Sequence, residues 1–379
     1  MNIRKFLYNL SLYIFYPCRI KRSKVVFMNF NGKGYGDNPK YIAEEIIREK
    51  KDWDLVWLVI NMNASLPKEI RKVKFRSLRM RYEMQTAKII ITNSKTPISI
   101  IKKKKQYIVQ TWHAPISYKK VENDAKEFLR EKYLVESKKN SEMTDLFISS
   151  NSIQTEEYKR AFWCKCEILQ CGIPRNDIYF NFSKEQIDEI RKKTGFSKGT
   201  KLVLYAPTFR DKESKDAFTL DYNQIIKTLE ETTNSKWKLL VRFHPAVKEK
   251  DFYHQISFNS DIINMTEYPD MQELLLISDV LITDVSSSIY DCTLLRKPIF
   301  LFMPDFDFYT EYCRGLTKEY FHLPYTVYKS NEDLQNAIKQ YDINNMRVIQ
   351  ETYLKRVNGA DNGHAAIEIV KKIESFINK

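Results

Sequence analysis

Two of the five histidines in this chain stand where parallel α/β proteins do chemistry. Tyr107-Ile-Val-Gln-Thr-Trp-His113-Ala-Pro115 and Trp237-Lys-Leu-Leu-Val-Arg-Phe-His244-Pro245 are apolar, β-branched runs that stop at His and then meet Pro. Each reads as a buried strand whose carboxyl end turns into a loop, because proline drives its neighbourhood toward extended backbone. Loops at such ends bind the ligands of open α/β sheets. An imidazole there titrates near working pH, so His113 can serve as a general base. His244 follows Arg242 and can donate to a phosphate. A lone strand-end histidine is more often structural. Two of them, each among phosphate-suited loops, point to function.

Those loops carry further chemistry. Tyr205-Ala-Pro207-Thr208-Phe-Arg210 brings a hydroxyl and a guanidinium to a strand end, groups that bind phosphate oxygens. Val280-Leu-Ile-Thr-Asp284-Val-Ser286-Ser287-Ser288 ends a strand and opens a helix with serines, where backbone N–H groups and hydroxyls favour an anion. Asp291, on the first turns of that helix, can face a ribose or a cation. Gly172-Ile-Pro-Arg175-Asn-Asp177 puts an arginine after another strand. Asn31-Gly-Lys-Gly-Tyr-Gly-Asp-Asn-Pro39 holds three of the nine glycines directly after the first strand, which suits either a tight turn or close backbone approach to a ligand. Asp37 or Asn38 is placed to cap a helix starting at Pro39.

The elements that must position these residues alternate. Strands are expected at Val25–Phe30, Leu55–Ile60, Ile89–Thr92, Tyr107–Trp112, Leu146–Ser149 and Ile168–Cys171, with helices at Lys40–Glu49, Arg79–Ala87 and Gln154–Phe162. The charged stretch Asn181–Thr200 breaks the series as a linker, helical in part. A second series follows, with strands Leu202–Tyr205, Lys238–Phe243, Ile262–Met265, Val280–Thr283 and Ile299–Phe302. Its helices fall near Asn223–Glu231, Met271–Ile277 and Ser288–Leu295, and the chain closes on an amphipathic helix, Gly363–Asn378. Strand–helix alternation implies parallel sheets covered on both faces. Two series predict two Rossmann-like domains facing across a cleft. No G-x-G-x-x-G opens either half and no P-loop occurs, which argues against a dinucleotide dehydrogenase or P-loop ATPase.

Composition narrows the partners. The 379 residues are 43% hydrophobic and 29% charged, as in a globular chain long enough for two domains. With 62 Lys+Arg against 48 Asp+Glu, the net charge of +14 favours a polyanion or an anionic membrane surface. No nucleic-acid-binding signature accompanies it, so no nucleic-acid partner is expected. The cluster Cys164-Lys-Cys166 with Cys171 lacks paired zinc spacing, and reduced thiols are the better reading. Near the start, Phe6–Tyr16 is apolar, flanked by Arg4, Lys5, Arg19, Lys21, Arg22 and Lys24. It is shorter than the about 20 residues of a membrane span and lacks a signal-peptide cleavage site. A helix lying in the membrane interface fits it best.

Taken in order, the segments resemble the CDP-glycerol glycerophosphotransferase family of teichoic acid synthesis. The matching pieces are Gly34-Tyr-Gly-Asp-Asn-Pro-Lys40, Thr111-Trp112-His-Ala-Pro115, Gly172-Ile-Pro-Arg-Asn-Asp177, Tyr205-Ala-Pro-Thr-Phe-Arg210, Arg242-Phe-His-Pro245, Tyr268-Pro-Asp-Met-Gln-Glu-Leu-Leu275 and Ile282-Thr-Asp-Val-Ser-Ser287. The resemblance implies a GT-B fold attached peripherally to the cytoplasmic membrane face. The implied domains are a membrane-associating segment at 1–22, an acceptor domain at 23–190, a CDP-glycerol domain at 191–360 and the closing helix at 361–379. It also implies transfer of glycerol phosphate from CDP-glycerol to an undecaprenyl-diphosphate-linked saccharide, with loss of CMP. No carboxylate cluster demands a metal, and no cofactor is expected. His113 matches the proposed base. His244, Arg242, Thr208, Ser286, Ser287 and Arg175 match residues that bind the donor's pyrophosphate, Asp291 matches a carboxylate of the site, and Trp112, Pro207 and Arg210 join the substrate-binding set. Two departures stand out: His113-Ala114 where many members have His-Gly, and Asp284-Val285 where Asp-Tyr is frequent. Polymerases of the family often carry an additional N-terminal domain; the length here predicts a primase-type enzyme. A CMP-sialic acid-type or other GT-B glycosyltransferase, a CDP-ribitol-using homologue and a non-catalytic membrane adaptor are the competing readings.

Overall fold

A computed structural model of the chain describes residues 13–94, 100–210, 212, 214, 216–244, 253 and 256–378. The described residues form two compact units. The first comprises residues up to Pro115, Glu122–Phe180 and Gly359–Lys379; the second comprises Ile116–Val121 and Asn181–Asn358.

Seven strands build the first sheet: β1 Lys21–Met28, β2 Asp54–Val59, β3 Ile70–Lys74, β4 Ala87–Thr92, β5 Tyr107–Gln110, β6 Leu146–Ser149 and β7 Glu167–Gln170. They pair in the order β3-β2-β1-β4-β5-β6-β7, and every pairing is parallel. The central strands are almost continuously buried, as their Val- and Ile-rich runs require when both faces are covered. The order reverses between β1 and β4. Chain direction therefore diverges there, and the loops after these two strands separate to leave room at the carboxyl edge.

The closing helix, Ala365–Ile377, belongs to this first unit although it ends the chain. Ala365, Ile369, Val370, Ile373 and Ile377 recur at helical spacing and pack in one core with Val25, Phe27, Ile42, Ile46 and Ile89. Its first turn is tied down by Asp177, whose carboxylate accepts the backbone N–H groups of Ala365 and Ala366 at 3.1 and 2.8 Å. Nearby, Gly172 has φ +94, and a Cβ there would stand 3.0 Å from the Cα of Asp361. Only glycine allows the chain to return so closely.

Six strands form the second sheet: β8 Lys201–Tyr205, β9 Trp237–Val241, β10 Ile262–Asn264, β11 Val280–Thr283, β12 Ile299–Phe302 and β13 Val327–Tyr328. Their order, β10-β9-β8-β11-β12-β13, repeats the first pattern with its switch between β8 and β11. All the pairings are again parallel. The expected linker at 181–200 holds the helix Lys184–Thr194, started by a Ser183–Gln186 capping box and stopped by Gly195 in the left-handed region. Arg191 on this helix bonds the carbonyls of Ser197, Thr200 and Ile277, so the stretch is a packed part of the second unit.

Among the described residues no helix is long and apolar enough to cross a membrane. The expected interfacial helix, Phe6–Tyr16, lies outside the described residues up to position 12; Tyr13, Ile14 and Tyr16 at its end are exposed.

Candidate active site

In the first unit the strand ends converge on His113. Strand β5 stops at Gln110, two residues before the expected end, and Gln110 turns its side-chain carbonyl to accept the Trp112 N–H at 2.9 Å. Trp112 then takes φ 49, a left-handed conformation that a bulky residue adopts only when its surroundings enforce it. A contact that holds it comes from the first turn of the helix Asp37–Arg48, where Asn38 Nδ2 donates to the Trp112 carbonyl at 2.8 Å. The His113 ring lies against Trp112, with centroids 4.3 Å apart, and edge-on to Phe30 at 5.1 Å.

His113 Nδ1 stands 2.9 Å from the backbone carbonyl oxygen of Asn93, the first residue after β4. A carbonyl only accepts, so Nδ1 carries a proton, and whenever the ring is neutral its lone pair is on Nε2. That is the tautomer a general base needs. Asn93 is itself fully buried and held from three sides: its Oδ1 accepts the Phe30 N–H at 2.8 Å, and its Nδ2 donates to Asn29 at 2.7 Å and Asp37 at 3.0 Å.

Arg175, after β7, completes the frame. Its Nη1 pairs with Asp37 at 2.6 Å, and its backbone N–H reaches Asn38 Oδ1 at 3.2 Å. Both side chains of the ion pair are over nine-tenths buried. Asp37 and Asn38 therefore do not act as side-chain caps; the helix Asp37–Arg48 starts two residues earlier than expected, with Gly36 at its N-cap. A chain of contacts runs Arg175–Asp37–Asn93–His113, joining the ends of β7, β1, β4 and β5.

In the second unit, Thr208 follows β8, Arg242 and His244 follow β9, and Ser286 and Ser287 follow β11. His244 is exposed, with the Phe209 ring 5.7 Å away, while Arg242, Thr208 and both serines are half-buried. Ser286 Oγ accepts from the hydroxyl of Ser288 at 2.8 Å. Asp291 is buried on the helix Ser288–Leu294, where Gln272 Nε2 lies 3.4 Å from its Oδ2.

Arg210, expected at the phosphate, faces two carboxylates of its own unit. It is 5% exposed, and its guanidinium grips Asp284 at 2.6 Å and Asp305 at 2.8 and 2.9 Å while bonding the Thr208 carbonyl. Burial pulls its pKa down, but the Asp284 and Asp305 carboxylates outweigh that and hold it above the ordinary guanidinium value. Asp284 also accepts the Thr208 hydroxyl at 2.6 Å and the Thr208 N–H at 2.9 Å. The cluster clamps the loops after β8, β11 and β12 together. Pro207, next to Thr208 in the chain, is buried. A guanidinium facing two carboxylates has little charge left over for a further anion.

Asp37, Asn38, Asn93 and Asp305 were absent from the residues singled out for chemistry. Each follows the carboxyl end of a strand, and that rule alone could have found them. Among the described residues no group of three or more His, Cys, Asp or Glu is placed to hold a metal ion.

Two doubly wound units, each with a histidine just beyond a strand's carboxyl end, define a Rossmann-like α/β protein with candidate ligand sites at those ends. Comparison with known proteins makes the class specific. Residues 10–375 match the family described as CDP-glycerol:poly(glycerophosphate) glycerophosphotransferase, and the chain belongs to that family. It is 31% identical over 367 residues to the teichoic acid poly(glycerol phosphate) polymerase of Staphylococcus epidermidis, covering 92% of this chain and 50% of that protein. The polymerase of the same description from Bacillus spizizenii is 31% identical over 327 residues, covering 83% of this chain and 82% of that one. The chain thus spans half the length of the first relative and most of the second. Among solved structures, that of the wall teichoic acid polymerase TagF superposes with a TM-score of 0.86 at 28% identity, covering all of this chain and 96% of that one. A TagF variant soaked with CDPG gives 0.84 at 27% identity, with 100% and 95% covered.

Proposed function

We propose that the chain transfers glycerol phosphate from CDP-glycerol to a hydroxyl of a lipid-linked saccharide and releases CMP. The observation that carries this reading is the Nδ1–H bond of His113 to the Asn93 carbonyl, which makes Nε2 the basic atom of the ring. In the proposed reaction an acceptor hydroxyl attacks the β-phosphorus in line and gives its proton to that nitrogen. The bond from the β-phosphorus to the bridging oxygen breaks, and CMP leaves with the electron pair. Negative charge grows on the phosphoryl oxygens, where His244, Arg242 and the serines at 286 and 287 supply donors, while Thr208, whose hydroxyl and N–H are given to Asp284, holds its loop in place. Asp291 is proposed to meet the ribose. Trp112 and Arg175 act through the loop that carries His113, and Pro207 and Arg210 through the loop that carries Thr208.

A peripheral membrane location fits the same substrate, since a polyprenyl-linked saccharide stays at the bilayer. The exposed Tyr13, Ile14 and Tyr16 and the exposed Arg19, Lys21 and Arg22 support docking on an anionic surface, whereas Lys24, also expected among the flanking cations, is buried against Glu83.

The test is CMP release by the full chain with CDP-glycerol, CDP-ribitol or CMP-sialic acid, each with a polyprenyl-diphosphate disaccharide in anionic vesicles. Release confined to CDP-glycerol is the expected result. Release only from CMP-sialic acid overturns it, and release from none of the three favours an adaptor. A single added unit identifies the primase reaction, and a ladder of products identifies a polymerase.

A further inference from the structure

Cys164 and Cys166 are not absorbed by the reaction above. They lie in the loop between the helix Ser152–Arg160 and β7, with their Sγ atoms 3.5 Å apart. Both are half-buried, whereas Cys171, Cys292 and Cys313 are buried. The loop is anchored on both sides of the pair. The Cys164 N–H bonds the Tyr158 carbonyl at 3.1 Å, and β7 pairs with β6 from Glu167 onward. The preceding Trp163 takes φ 51, so the backbone turns sharply just where the first thiol is presented.

We propose that Cys164 and Cys166 form a reversible dithiol–disulfide site, opened and closed by exchange with a low-molecular-weight disulfide. Cys164 is the attacking sulfur. The hydrogen bond from the Cys166 thiol holds it below the ordinary thiol value, with Lys159 adding to the effect, while Cys166 is pushed up by the same contact and by burial. The Cys164 thiolate attacks one sulfur of the small disulfide, which breaks its S–S bond and expels one thiolate. The Cys166 thiol then loses its proton to water and attacks Cys164 Sγ, expelling the second thiolate. Two protein thiols are oxidised and one small disulfide is reduced to two thiols. Reduced glutathione in excess reverses both steps.

Closure has a route to the base. Two residues before Cys164, the buried Phe162 ring meets Trp112 edge-on at 4.7 Å, and Trp112 lies against His113 at 4.3 Å. Drawing the two sulfurs from 3.5 Å to bonding distance shifts the backbone next to Phe162, and the stack transmits the shift to His113.

Lys165 lies between the two cysteines and makes the site readable. The reduced full chain is incubated with oxidised glutathione, alkylated and digested with trypsin. Open thiols give Ala161–Lys165 and Cys166–Arg175 as separate alkylated peptides; a closed site leaves them joined, lighter by two hydrogens. The joined pair should survive in Cys171→Ser, and Cys166→Ser should instead accumulate glutathione on residue 164. Separate alkylated peptides under conditions that glutathionylate Cys18 overturn the proposal, as does a joined pair that needs Cys171. In the kinetic arm, closed protein should release CMP about fivefold or more slowly than reduced protein, and dithiothreitol should restore it. Cys164→Ser should be indifferent to the oxidant. Equal rates for closed and reduced protein overturn the link to the base. Only this arm rests on reading His113 as that base; the peptide map does not.

Discussion

The Nδ1 of His113 and the backbone carbonyl of Asn93, 2.9 Å apart, join the ends of two adjacent parallel strands and choose the tautomer of the ring. Because the acceptor is main chain, it persists in any side-chain variant of Asn93. Only the placement of that carbonyl can be altered, through the bonds Asn93 makes to Phe30, Asn29 and Asp37.

Removing the imidazole should therefore separate chemistry from binding. His113→Gln is expected to lower CMP release by about 10²–10⁴ while CDP-glycerol affinity changes little. His244→Ala, at the exposed end beyond β9, should raise KM and lower kcat together. Steady-state kinetics beside calorimetric titration of CDP-glycerol checks both. Near-normal turnover of the glutamine variant sinks the base assignment, and unchanged kinetics of the alanine variant sinks the phosphate role.

Arg175 offers a test of positioning against contact. Its pairing with Asp37 at 2.6 Å holds the start of the helix Asp37–Arg48, which bonds the Trp112 carbonyl and the Asn93 side chain. Arg175→Lys keeps a charge but loses the planar fork. It should lower kcat by about tenfold with KM for CDP-glycerol nearly constant, since a slight misplacement of the base is costly. A large rise in KM with kcat preserved would instead place Arg175 on the donor.

Arg210→Met should destabilise the second unit by about 3–5 kcal/mol, because it leaves Asp284 and Asp305 buried without their partner. Urea unfolding followed by the fluorescence of Trp237, the tryptophan of β9, reads this in a chain whose other tryptophans are replaced by Phe. Normal stability with lost donor affinity is the contrary result, and it would return Arg210 to the phosphate.

Asp177 gives a pH signature. Burial pushes its carboxyl up to about 7, against the two backbone N–H groups at the start of the helix Ala365–Ile377. A carboxyl whose folded pKa is raised binds its proton more tightly in the folded state. Its contribution is complete below the unfolded value near 4 and is lost as pH climbs through 7. Hydrogen-exchange protection of this helix, corrected for intrinsic rates, should weaken from pH 5 to pH 8 by on the order of 2 kcal/mol. Asp177→Asn keeps an acceptor for the same N–H groups and should remove the pH slope. A slope equal to wild type in that variant contradicts the assignment.

The sequence by itself determined the alternating strands and helices wherever the signal was local and dense. Leu146–Ser149, Val280–Thr283, Ile299–Phe302 and Met271–Ile277 appear with the expected bounds because each is a short apolar run between polar stops. It also placed both histidines beyond strand ends, three residues past Gln110 and Val241. The edge strands β3 and β13 escaped it. Ile70-Arg-Lys-Val-Lys74 has too few apolar residues to stand out, since an edge strand carries charge on its open side, and Val327–Tyr328 is too short for any period. Only the tertiary structure decided how the polar residues pair. Arg175 meets Asp37 across 138 positions and Arg210 meets Asp305 across 95, distances over which no local pattern reports. It likewise returned the last helix to the first unit, where the sheet still had an apolar face to cover. Periodicity records which face of an element is buried, and only the folded chain shows what lies against it. For that reason Arg210 reads as a phosphate ligand in the sequence, while the structure shows its guanidinium between Asp284 and Asp305.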